Sequence, residues 1–81
     1  MKESVFQQMA ERWKAPVVAR TEIEAFSGGA MKSKYAANLD AAGMGPAGRF
    51  RIGPKVVYPI RELVAWLESR SAAIPDRRRD A

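Results

Sequence analysis

The side chains of this 81-residue chain that can do chemistry are cations, carboxylates and a few amides and hydroxyls; there is no His and no Cys. The usual general base, the commonest metal ligand, the thiolate nucleophile and the cysteine zinc site are therefore missing. No catalytic residue, metal ligand or cofactor is predicted. Asp40 with Glu22 or Glu24 is the one carboxylate set to weigh for acid–base work, and no pattern around it suggests a pocket. What remains is charge. Lys and Arg total 14 against 9 Asp and Glu, a net charge of +5. Residues 1–27 carry four basic and four acidic side chains, and residues 59–81 carry five and four. Residues 28–58 carry Lys32, Lys34, Arg49, Arg51 and Lys55 against Asp40 alone, so most of the imbalance sits in the middle third. Such a patch points to a polyanionic partner.

A DNA duplex suits these residue types. An asparagine such as Asn38 can pair bidentately with adenine, and a lysine such as Lys34 can reach guanine O6 and N7. The Tyr35 ring can pack on a thymine methyl or its hydroxyl can bond a phosphate, while Lys32 and Ser33 stand just before these residues. Arg49, Arg51 and Lys55 need only charge and reach to meet phosphates, which supply most of the affinity. Two plainer readings stay open: Asn38 as a helix-surface amide near a C-terminal cap, and Tyr35 as partial core packing.

Positioning these residues requires two short helices and a hairpin. Thr21-Glu22-Ile23-Glu24 has capping-box spacing and predicts a helix of about two turns that buries Ile23 and Phe26 and stops at Gly28-Gly29. A second helix is predicted from about Lys32 to Ala42, with Gly43 as its stop, Ala36 and Leu39 inward, and Ser33, Lys34, Tyr35, Ala37 and Asn38 outward. The pair reads as a helix-turn-helix or as an αα-hairpin that merely packs. Arg49–Ile52 and Lys55–Tyr58 then read as two strands around Gly53-Pro54, with Phe50 and Ile52 inward and Arg49 and Arg51 outward. This basic hairpin is either a wing or a solvated ribbon with incidental arginines.

The flanks complete one domain over residues 1–71. Ser4 to Lys14 predicts an amphipathic helix whose Val5, Phe6, Met9 and Trp13 share a face, closed by Pro16. Val17-Val18-Ala19 predicts a single short strand. Pro59 suits the first position of a last helix reaching about Ser69, with Ile60, Leu63, Val64 and Leu67 as its stripe and Trp66 on its flank. Residues 72–81, with Arg77-Arg78-Arg79, lack a periodic apolar face and are expected to be a disordered basic tail. The polar start and the absence of a long apolar run predict a cytoplasmic, nucleoid-associated protein without membrane contact. A chain this small buries roughly 60% of its unfolded surface. The apolar stripe of the first helix must therefore dock, on the Leu63/Trp66/Leu67 helix in preference to a second copy.

From Val17 to Arg70 the chain resembles the small excisionase-like and AlpA-like DNA-binding proteins of bacteria and phages, relatives of the MerR-type winged helix. The carriers are Ala30-Met31-Lys32-Ser33-Lys34, Asn38-Leu39-Asp40-Ala41-Ala42-Gly43, Arg51-Ile52-Gly53-Pro54-Lys55-Val56-Val57-Tyr58 and Leu63-Val64-Ala65-Trp66-Leu67-Glu68. The resemblance implies a mainly α fold with a small β-hairpin, a winged helix-turn-helix here preceded by an extra N-terminal amphipathic helix. It implies a transcriptional regulator or a recombination directionality factor that binds duplex DNA, alone, as a homodimer, or beside a recombinase partner. Where the family places Ser or Thr at the start of the second helix this chain has Lys32, which leaves Ser33 as the expected cap. Pro54 replaces a basic residue after the wing glycine and implies a stiffer, less cationic tip. The alternative from another class is a protein–protein assembly adaptor using the Phe6/Met9/Trp13 face. An RNA module has no RRM or KH signature to support it.

Overall fold

A three-residue strand makes too few backbone hydrogen bonds to stand alone. In the computed structural model, which describes residues 4–74, Val17–Ala19 (β1) pairs antiparallel with Lys55–Pro59 (β3), Val18 opposite Tyr58. Phe50–Ile52 (β2) pairs with the other edge of β3, Arg51 opposite Val56, so the sheet order is β1-β3-β2. The predicted isolated hairpin is thus a three-stranded antiparallel sheet. Local pattern shows each strand and not a pairing some forty residues away.

Register also corrects the faces of β2. Val18 and Tyr58 are fully buried and define the core side. Arg51, level with Val56, lies on that side, whereas Phe50 and Ile52 share the opposite side with Lys55 and Val57. Phe50 and Ile52, expected inward, are 46% and 56% exposed. A strand's faces alternate with period two, so one residue of register inverts the whole assignment.

Among the described residues there are four α-helices: Val5–Arg12 (α1), Ile23–Phe26 (α2), Ser33–Ala41 (α3) and Ile60–Ser69 (α4). A 3-10 turn at Arg20–Glu22 leads into α2. The Thr21–Glu24 capping box does not form; Glu22 is the N-cap residue of α2 and makes no side-chain cap bond. Ser4 and Gln7 form one instead, the Ser4 hydroxyl accepting from the Gln7 amide and the Gln7 side chain from the Ser4 amide. Pro59 is the cap before α4 and the last residue of β3, and Ile60 N–H donates to Pro16 O at 2.9 Å. Gly43 ends α3 as predicted. At φ 76° it lets its own amide reach Asp40 O and the Met44 amide reach Leu39 O, the paired bonds of a Schellman cap.

The core gathers Val18, Ile23, Phe26, Met31, Ala36, Tyr58 and Leu63, with Met9, Trp13, Trp66 and Leu67 half-buried against it. α1 packs on α4, so its stripe docks within the chain. Trp13 meets Phe26 edge to face at 5.2 Å and donates through Nε1 to Val17 O at 3.2 Å. Val5 departs from the predicted stripe and is 64% exposed. It lies about 100° from Phe6 around the helix, at the stripe's edge. No helix among the described residues is long and apolar enough to cross a membrane. Most of the predicted tail lies outside the described residues; residues 72–74 are exposed and in neither helix nor strand.

Candidate nucleic-acid interface

Burying Ala36 and Leu39 turns the opposite face of α3 to solvent. Lys34, Tyr35 and Asn38 are all exposed there. Lys34 makes no ion pair among the described residues. Tyr35 is not free: its hydroxyl accepts from Arg70 Nη2 at 3.0 Å, and the Arg70 guanidinium also stands 5.1 Å from the Trp66 ring. Lys32, the N-cap residue of α3, pairs with Glu24 at 2.7 Å. Both partners are largely exposed, and such pairs are worth little. Ser33 is not a cap. It is the first helical residue, and its hydroxyl donates to Arg20 O at 2.9 Å, tying α3 to the 3-10 turn.

The three hairpin cations have separate fates. Arg51 and Lys55 are exposed and unpaired among the described residues, on opposite faces of the ribbon. Arg49 turns back instead. Its Nη1 donates to Pro46 O at 3.1 Å and its Nη2 to Asp40 O at 3.2 Å.

The residue that organises this side of the molecule is Asp40, which the sequence offers only as a carboxylate to weigh with Glu22 or Glu24. Its side chain is 7% exposed. Its Oδ2 accepts from Arg20 Nη1 at 2.8 Å and from the Tyr58 hydroxyl at 2.6 Å. Its Oδ1 is buried without a hydrogen bond, 3.7 Å from Arg49 Nε. One carboxylate thereby joins α3, the 3-10 turn, β3 and the loop before β2. Gly45 closes over it: a Cβ there would collide with Oδ1 and lie 3.3 Å from Asp40 Cα. The sequence signal was a lone acidic residue within a basic third, facing an arginine and a tyrosine only after folding.

The same cluster sets two ionisations. Arg20 is raised above its ordinary value, first by its hydrogen bond to Asp40. Tyr58 is raised strongly, first by burial and then by its hydrogen bond to Asp40. A raised folded-state value means that Tyr58 contributes its full stability below its unfolded value of about 10 and loses it at higher pH. Tyr58→Phe is therefore expected to be less stable than wild type at neutral pH, with a shallower further fall between about pH 10 and 11. Thermal melts across that range check it; parallel curves for the two proteins would refute the assignment.

Arg20, Arg49 and Arg51 line an open cleft between α3 and the ribbon, whose α3 wall is Ala37, Asp40 and Ala41. The structure brings Arg51 together with Ala37, Asp40 and Ala41; Lys32, Ser33, Lys34, Tyr35 and Asn38 do not line the cleft, and Lys55 lies on the other face of the ribbon. Among the described residues no group of His, Cys, Asp or Glu could hold a metal ion. No family model, curated protein or solved structure matches the chain.

Proposed function

We propose that the chain binds duplex DNA as a winged helix-turn-helix, with α3 as the recognition helix in the major groove and the β2–β3 ribbon as a wing on the adjacent backbone. In this reading it is an excisionase-like or AlpA-like transcriptional regulator or recombination directionality factor. One observation carries the reading: the cleft between α3 and the ribbon is lined by Ala37 and Ala41 of the helix and by Arg51 of the strand, and the same helix exposes Lys34 and Asn38. A major groove admits one helix, and the flanking phosphates then fall to cations beside it. The rival reading, an assembly adaptor, needs the Phe6/Met9/Trp13 face, and that helix already packs on α4.

Among the described residues Lys34, Arg51 and Lys55 are unpaired, and Lys32 exchanges its exposed partner at little cost. Three to four neutralised phosphates give a log–log salt slope of about −2.7 to −3.6. Asn38→Ala is expected to weaken a preferred site by about 1–3 kcal/mol and relax one or two base pairs. Random duplex should bind it as before. Fluorescence anisotropy titrations on selected and random duplexes check this. No binding to any duplex at about 50 mM salt sinks the DNA reading, and an equal loss on both duplexes sinks the recognition-helix assignment.

A further inference from the structure

The cleft between α3 and the ribbon has a volume of about 420 Å³, within the range of small-ligand sites. Three guanidinium groups reach it from separate stretches of chain: Arg20 from the 3-10 turn, Arg49 from the loop before β2, and Arg51 from β2 itself. One carboxylate, Asp40, stands against them, so the lining sums to 3 − 1 = +2. The Oδ2 of that carboxylate is already taken by Arg20 and Tyr58.

Like charges repel, and here the fold holds them together. Arg20 is clamped by Asp40, and Arg49 is fixed by the Pro46 and Asp40 carbonyls. Neither guanidinium spends all five of its N–H donors on these partners. Arg51 has no side-chain partner among the described residues and stands on the cleft side of its strand. Ala37 and Ala41 leave the α3 wall low, and Val56 contributes an apolar surface. Two fixed guanidiniums and one without a partner among the described residues suit a tetrahedral oxyanion, which planar forks engage bidentately.

We propose that this cleft is a phosphate-binding site, with Arg51 closing on an anion already in the field of Arg20 and Arg49. The phosphate is either a diester of a bound duplex or a free phosphate such as that of a nucleotide. The inference deepens the duplex reading and rests on it only for the source of the phosphate.

The test is an amide NMR titration of the full chain with inorganic phosphate, against chloride at matched ionic strength. Saturable shifts are expected at Ala37, Ala41, Phe50 and Val56, and they should vanish in Arg51→Gln. That side chain is exposed and has no partner among the described residues, so the variant's remaining resonances should stay in place and report an intact fold. Absence of saturable shifts at these amides, or shifts that persist in Arg51→Gln, overturns the site.

A duplex titration of the same two proteins separates the sources. If Arg51→Gln also binds random duplex about tenfold more weakly, with a salt slope shallower by about one, the phosphate belongs to the DNA backbone. Loss of the phosphate shifts with unchanged duplex affinity supports the site with a free phosphate as its ligand. Phosphate shifts in a protein that binds no duplex likewise leave the site standing and remove only the DNA reading.

Discussion

Asp40→Ala is expected to destabilise the domain by about 3 kcal/mol, the lower end of what removing one partner of a buried ion pair costs. The lower end applies because Arg20 and Arg49 are each about one-third exposed and can recover water. Two losses add in the same direction. The buried Tyr58 hydroxyl is left without its acceptor, and Arg49 and Arg20 face one another without the charge between them. For a domain this size a loss of 1 kcal/mol lowers the melting temperature by roughly 4–8 °C, so a fall of at least about 12 °C should appear by circular dichroism. Asp40→Asn keeps the volume and one acceptor oxygen and should lie between the two proteins. A change in Asp40→Ala of less than about 0.5 kcal/mol, the size of an ordinary surface substitution, would show that the carboxylate does not bind these elements together.

That node also marks where sequence reading stops. Helix positions followed from spacing that is local: Ala36 and Leu39 inward on α3, Leu63 inward on α4, and a stop at Gly43. The outward placement of Lys34, Tyr35 and Asn38 came from the same period. The β2 faces failed because a three-residue strand has too few alternations to fix its register, and the choice was made by Val18 and Tyr58 across the sheet. Ser33 and Thr21 failed differently. Each has the residue type of a cap, yet Ser33 spends its hydroxyl on Arg20 O, and the chain enters α2 through a 3-10 turn that leaves the Thr21 box unformed.

The candidate site was legible in the same uneven way. Charge counting located it in residues 28–58, and geometry then divided those cations by work. Arg51 and Lys34 face solvent, Lys32 is paired with Glu24, and Arg49 ties a loop to α3. Arg20 belongs to the cleft and lies outside the basic third altogether. No count along the chain brings it there; a hydrogen bond to a residue twenty positions away does.

The N-terminal helix supplies the other large expected effect. Trp13→Ala should cost about 2–4 kcal/mol, somewhat less than the range for a fully buried Trp because this ring is half-buried. The ring's edge-to-face contact with Phe26 is worth about 0.5–1.5 kcal/mol beyond the area it covers. Its Nε1 bond also holds Val17 O, the first carbonyl of β1, so the mutation loosens the strand that completes the sheet. Since α1 meets α4 of its own chain, the mass in solution should not change. Had the stripe served a two-fold dimer, Trp13→Ala would lower the mass from twice 9.0 kDa to a single chain. Light scattering with a thermal melt reads both quantities on one sample. A stable variant of halved mass would overturn intramolecular docking and move the dimer, with its two half-sites about one helical turn apart, to the front.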